Sequence, residues 1–154
     1  MAKAKPLRYE VRELKPADLE RGFLKTLESL SSVEGLTPAA GRKILSKSNG
    51  QGPVIVAVAE DGEVIGTTTL LVEKKFIHHG GLVGHIEDVA VRKGYEGMGV
   101  GSAVVRGAVS RAEQLGCYKV ILDCKPELVP FYERMGFKSK DVGMRLDLKR
   151  TKSR

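Results

Sequence analysis

The stretch from Ile86 to Ser102, IEDVAVRKGYEGMGVGS, constrains the fold of this chain more than any other. An apolar run of strand character passes through a short basic turn into a glycine-rich loop, and an apolar helical face begins just beyond it. Gly97, Gly99 and Gly101 alternate at that junction. Glycine reaches φ > 0 and lets backbone approach a ligand closely. A helix start turns unpaired N–H groups outward, with partial positive charge behind them. The unit therefore predicts a cradle for phosphate groups.

The elements around it follow from periodicity. Residues 7–14 alternate as a first strand, and Pro16 opens a helix with Leu19, Phe23, Leu27 and Leu30 on one face. Thr37-Pro38 is a cap and first-position proline for a second helix to about Leu45. SNGQGP is a loop, VIVAVAE a strand, Asp61-Gly62 a hairpin turn and EVIGTTTLLVEKKFI a longer strand. HHGGLVG turns the chain into the strand HIEDVAV. The helix after the glycine loop carries Val100, Val104, Ala108, Ala112 and Leu115 on its apolar face and stops at Gly116. CYKVILDC reads as a buried strand, Pro126 to Met135 as a short helix closed by Gly136, and Phe137 to Leu148 as containing a last strand. The order predicts an α+β fold. A right-handed crossover should set the 85–91 and 117–124 strands parallel and adjacent, with a ligand at the strand ends over the glycine loop.

Length and composition narrow the class. With 154 residues, 42% hydrophobic and 29% charged, the chain suits a single globular domain over residues 1–154. The net charge of +7 is concentrated in residues 1–8 and 148–154, leaving 9–147 neutral. This points to basic tails at 1–6 and 149–154 rather than to a nucleic-acid-binding surface. No apolar run approaches membrane-spanning length and MAKAKPLRYE has no signal core, so a cytoplasmic protein is expected. Cys117 and Cys124 lie seven apart, on opposite faces of a strand, and read as buried reduced thiols. His78, His79 and His85 lack partners at metal spacing, so no metal is expected.

Glu96-Gly97-Met98-Gly99-Val100-Gly101 resembles the pyrophosphate loop of the GNAT acetyltransferase superfamily, Arg/Gln-x-x-Gly-x-Gly/Ala. Glu96 departs from that pattern. A carboxylate facing a pyrophosphate is repelled, so Glu96 should point away and leave the holding to backbone N–H groups. Five further motifs resemble the glucosamine-6-phosphate N-acetyltransferase family: Lys75-Phe76-Ile77-His78, Glu87-Asp88, Cys117-Tyr118-Lys119, Leu122-Asp123-Cys124 and Phe131-Tyr132. The resemblance runs from about Tyr9 to Leu146. It implies the GNAT fold, a mixed, mostly antiparallel sheet flanked by helices. It also implies transfer of acetyl from acetyl-CoA to glucosamine 6-phosphate by direct amine attack, on the route to UDP-N-acetylglucosamine. An intertwined homodimer with active sites at the subunit interface is implied as well.

The resemblance further implies residue roles. Tyr132 would protonate the leaving thiolate, although an isolated tyrosine here reads as a core aromatic. Asp123 would position Tyr132 or the amine; read from the strand, its carboxylate is buried and shares a face with Lys119 and Ile121, where an ion pair is the alternative. Glu87 and Asp88, on opposite faces of their strand and flanked by apolar neighbours that imply burial, would hold the amino sugar. The backbone of Val89, Ala90 and Val91 would bind the pantetheine arm as an added strand does. Gly97, Met98, Gly99, Val100, Gly101 and Ser102 would hold the pyrophosphate, with Leu128, Val129 and Pro130 touching CoA beside Asp123 and Tyr132. Ser31, Lys75, Phe76, Ile77, His78 and Lys119 would surround the phosphosugar. Asp147 stands where the family has an arginine; Arg145 and Lys149, each two residues away on the same strand face, would restore the cation by a two-residue shift, and Arg145 is the candidate ligand. Two alternatives remain at this level: another amine acceptor (a different amino sugar or a peptide N-terminus), and a non-catalytic CoA- or polyanion-binding protein.

Overall fold

A computed structural model describes residues 6–48 and 52–149. The expected tails lie outside these residues except for Pro6 and Lys149, as does the middle of the SNGQGP loop. The chain divides into two compact units, Met1–Leu122 and Asp123–Arg154.

The first unit is built on one five-stranded sheet with strands in chain order: β1 (Tyr9–Glu13), β2 (Val54–Ala59), β3 (Val64–Lys74), β4 (Leu82–Val91) and β5 (Cys117–Ile121). The first four are antiparallel neighbours, while β5 runs parallel to β4. The parallel pair is the one a right-handed crossover predicts. That crossover is α4 (Val100–Gln114), whose Val100, Val104, Val105, Ala108 and Ala112 are buried. Its docking depends on Gly66 of β3, where a Cβ would stand 2.4 Å from Val100 Cγ1. The missing side chain lets the first turn of α4 rest directly on the sheet and fixes one end of the glycine loop. Leu115, assigned to the apolar face, is the partly exposed residue closing the helix before Gly116.

On the sequence before β2 lie α1 (Phe23–Leu27) and α2 (Pro38–Lys47). Thr37 Oγ1 accepts from Ala40 N, so the cap read from Thr37-Pro38 forms. The helix expected from Pro16 through Leu30 does not. Pro16–Glu20 is a 3-10 turn, and Gly22 at φ +81° separates it from α1. A short turn, α3 (Ile77–Gly80), joins β3 to β4; its central His78 and His79 sit at φ +52° and +56°. The left-handed pair leaves Phe76 and Ile77 exposed.

The β1 end is locked by a two-pronged pair. Arg12 Nη1 and Nη2 donate to Asp18 Oδ2 and Oδ1 at 2.7 and 2.9 Å, and Lys15 N donates to Oδ2 at 2.7 Å. Asp18 is buried, and the guanidinium holds its carboxyl below the ordinary value of 3.8. A depressed folded pKa contributes stability that is complete above the unfolded-chain pKa and gone once pH has fallen through the folded one. Asp18→Asn is therefore expected to cost about 2 kcal/mol at pH 7. Urea midpoints of the variant and the parent should converge as the pH drops below the ordinary carboxylate range.

The second unit holds a 3-10 turn (Pro126–Leu128) and α5 (Val129–Glu133), closed by Gly136 at φ +93°. The last strand expected within 137–148 is not formed. Its alternation is real, with Val142, Met144, Leu146 and Leu148 all exposed. A strand, however, requires a neighbouring edge to take its N–H and C=O groups, and the segment finds none within its unit.

Candidate active site

β4 carries the chemistry of the first unit. Its pairing with β3 slips at one point: Thr67 faces Ala90, but Thr69 faces Glu87. Asp88 and Val89 thus share one position opposite Thr68, which is a β-bulge. Asp88 adopts φ +52°, and Thr68 Oγ1 donates to the Glu87 carbonyl at 2.9 Å. The bulge overturns two expectations. Glu87 and Asp88 are exposed rather than buried. Their side chains also do not follow simple alternation, because a left-handed residue re-aims the strand. On the other side, β5 pairs with β4 only as far as His85, opposite Ile121. The β4 edge from Ile86 to Val91 therefore has no strand neighbour on that side among the described residues, and its polar groups are open to a ligand that adds as a strand does.

This open edge runs into the glycine loop. Tyr95 N donates to Arg92 O at 3.0 Å, closing a turn at the start of the loop. Glu96, expected to point away from the loop, instead turns back on it, its Oε2 accepting from Gly94 N at 2.6 Å. Gly99, at φ +82°, is the N-cap of α4; no side chain caps the helix and no acid lies in its first turn. The loop tip, Gly97 to Gly99, is exposed, whereas Val100 is buried and Gly101 and Ser102 are half-buried. Ser102 Oγ donates back to Gly99 O at 3.2 Å. A 15-residue helix with an uncapped, acid-free start and glycines before it suits a pyrophosphate.

The opposite end of β4 lies beside three of the expected acceptor residues, Lys75, His78 and Lys119. Lys75 Nζ donates to Glu73 Oε1 at 2.6 Å, and Glu73 Oε2 lies 2.8 Å from His85 Nε2. These two neighbours, Lys75 first, hold the Glu73 carboxyl below its usual range. The His78 ring lies 4.6 Å from that of Tyr118, and Lys119 Nζ stands 5.7 Å from the Tyr118 centroid. Tyr118 thus links the left-handed turn to β5, a role that the Cys117-Tyr118-Lys119 motif carried without its being singled out. Ser31 is exposed beyond α1, its N–H bonded to Leu27 O, and none of these residues is a hydrogen-bond partner of its side chain.

In the second unit Tyr132 is buried, with its ring edge-on to Phe131 at 4.9 Å and Phe137 at 5.9 Å. Burial, with a smaller effect of Cys124, pushes its hydroxyl above the ordinary tyrosine value, so it is a neutral donor at pH 7. Asp123 departs from expectation. β5 ends at Ile121, and Asp123 is exposed beyond it rather than buried within a strand. Its Oδ1 faces the backbone of Gly143, where a Cβ would stand 3.1 Å away. Cys117 is half-buried and Cys124 exposed; both are free thiols, and burial raises Cys117. The buried strand read over 117–124 is an edge strand of five residues, which accounts for both exposures. Leu128 and Pro130 are exposed and Val129 half-buried at the start of α5. Arg145 donates to Asp147 Oδ1 at 2.7 Å, so the substitute cation and the residue replacing the family arginine are paired with each other.

Among the described residues no group of three His, Cys, Asp or Glu is placed to hold a metal, and no helix is long and apolar enough to cross a membrane.

An open strand edge leading to an uncapped helix through a glycine loop is the layout of an acyl-CoA-dependent transferase. The Acetyltransferase (GNAT) family model matches residues 20–137, and the chain belongs to this family. It is 44% identical to glucosamine 6-phosphate N-acetyltransferase 1 of Oryza sativa, over 90% of this chain and 86% of the relative. It is 38% identical to the glucosamine 6-phosphate N-acetyltransferase of Candida albicans, over 90% and 95%. Among solved structures, the glucosamine-6-phosphate N-acetyltransferase of Arabidopsis thaliana superposes with a TM-score of 0.87 at 30% identity, covering 92% of this chain and 99% of that one. The protein is an acetyltransferase of the GNAT fold, a family that takes its acetyl group from acetyl-CoA.

Proposed function

We propose that this protein transfers acetyl from acetyl-CoA to the amine of glucosamine 6-phosphate, a step that supplies UDP-N-acetylglucosamine synthesis. The observation that carries the reading is the β4 edge left open after His85, continuous with the uncapped start of α4. The relatives named for the phosphosugar support the acceptor. Fit to CoA is supported by the absence of any acid in the first turn of α4 and by Glu96 turning onto Gly94 N. That turn also weakens one of the two motives for a non-catalytic reading, the other being the basic tails.

In this reading the loop N–H groups from Gly97 to Ser102 hold the pyrophosphate, with Met98 beside it. The Val89–Val91 backbone aligns the pantetheine arm and polarises the thioester carbonyl. Glu87 and Asp88 bind the sugar hydroxyls and amine, and an exposed carboxylate there can take the proton the amine loses. The amine nitrogen attacks the thioester carbon; the C–N bond forms, the C–S bond breaks, and Tyr132 gives its proton to the departing sulfur. Asp123 orients Tyr132 or the amine, and Leu128, Val129 and Pro130 flank CoA. Ser31, Lys75 to His78, Lys119 and Arg145 serve the phosphosugar. A second copy completes the site, a reading supported by the exposed apolar side chains of Val142, Met144, Leu146 and Leu148.

Thiol release from acetyl-CoA, followed with glucosamine 6-phosphate and glucosamine in parallel, tests the acceptor. The phosphosugar should react about 10²-fold faster, since a site built to pair a phosphate leaves its cations unmatched without one. Equal rates for the two sugars would overturn the assignment.

A further inference from the structure

We propose that Arg92 is a positioning residue for the glycine loop, acting through a buried clamp on α1 and the β2–β3 hairpin. Arg92 is the first residue beyond β4 and the point where the chain leaves the sheet. Its backbone serves both sides of that departure: N–H donates to Ile65 O at 2.8 Å, and C=O accepts from Tyr95 N. Its side chain points inward, only 10% exposed. Nε donates to Thr26 Oγ1 at 3.3 Å, Nη1 to Glu63 Oε2 at 3.1 Å, and Nη2 to Gly22 O at 2.9 Å. Thr26 Oγ1 passes the chain of bonds on to Val64 O at 2.6 Å.

A guanidinium held by three partners on two segments, Gly22 and Thr26 at α1 and Glu63 at the β2–β3 hairpin, cannot rotate without breaking several charge-assisted bonds. Room for it is made at Gly22, where a Cβ would stand 1.7 Å from Nη2. The loop from Lys93 to Gly99 is therefore pinned at both ends, by Arg92 at its root and by Val100 packed on Gly66 at its tip. Supporting contacts of this kind hold ligand-binding backbone to the tolerance that binding requires.

The inference rests on the loop being the pyrophosphate cradle of the proposed function. Its test compares acetyl-CoA with S-acetylpantetheine, which has the thioester and the arm but no pyrophosphate. In Arg92→Lys, which keeps the charge and loses the fork, KM for acetyl-CoA should rise about tenfold while kcat/KM for S-acetylpantetheine stays within about twofold. Glu63→Gln keeps an acceptor for Nη1 and should shift the acetyl-CoA KM in the same direction by about threefold. All assays are run well below the melting temperature of each variant. An equal fall with both acyl donors would mark Arg92 as merely structural and overturn the inference, as would an unchanged KM for acetyl-CoA. A parent enzyme that uses S-acetylpantetheine as well as acetyl-CoA would overturn instead the reading of the loop itself.

Discussion

Tyr132→Phe is expected to lower kcat about 10²-fold while leaving acetyl-CoA affinity within about twofold. In the proposed reaction the hydroxyl is required as charge develops on sulfur, and little before that, so its loss should fall on the transition state and not on ground-state binding. The ring is held edge-on by Phe131 and Phe137, and phenylalanine keeps those contacts, so the variant should fold as the parent does. Burial keeps the hydroxyl protonated beyond the ordinary tyrosine range. The Tyr132 contribution should thus be flat through neutral pH and fail only on the alkaline side, where the donor is lost. Thiol-release kinetics give kcat, and calorimetric titration gives the affinity. An unchanged kcat would remove Tyr132 from the reaction. A fall in affinity alone would reassign it to binding.

Much of this arrangement is legible in residue order. Val100, Val104, Ala108 and Ala112 recur at helical spacing and are buried on one face of α4. Gly99 and Gly116 mark its two ends at positive φ, as their flanking patterns require. The parallel placement of β5 beside β4 follows from the handedness of a crossover, which depends on chain order and not on side chains.

Other features arise from contacts that no local pattern encodes. Leu19, Phe23 and Leu27 share a helical period, yet the chain turns at Gly22, which sits at φ +81° as the N-cap of α1, with the Arg92 guanidinium in the space a Cβ would fill and the Gly22 carbonyl accepting from both Arg92 Nη2 and Thr26 N. Arg92 is seventy residues away. The sequence IEDVAV alternates acceptably as a strand, and nothing in it announces the bulge. Only the slipped register against Thr67 and Thr69 places two residues of β4 opposite Thr68 and turns Glu87 and Asp88 outward. Asp123 looks buried because its neighbours are apolar. Burial of an edge strand depends on what covers it, and the strand ends two residues earlier.

If the proposed dimer forms through the apolar face of the C-terminal arm, charging that face by Met144→Glu with Leu146→Glu is expected to give monomers and lower kcat/KM for glucosamine 6-phosphate about 10²-fold. Val142, Met144, Leu146 and Leu148 alternate with Arg145 and Asp147, which pair with each other. Such a segment is apolar on one side and satisfied by ions on the other, the pattern of a strand meant for a sheet with one covered face. Each of the four side chains is at least 82% exposed in the single chain. Burying one such side chain contributes roughly 1.5–3 kcal/mol, so two glutamates at the centre of the row replace that gain with the cost of desolvating two charges. The arm also carries Arg145, the proposed substitute for the phosphate-reading arginine. If the second copy completes the site, separation of the subunits should therefore cost activity with the phosphosugar as well as mass by light scattering. A doubly charged variant that stays dimeric and fully active would show that the arm neither joins the subunits nor serves the phosphate. A monomeric variant of full activity would confine the site to one chain and transfer the phosphate contacts to Lys75 and Lys119 of the same subunit.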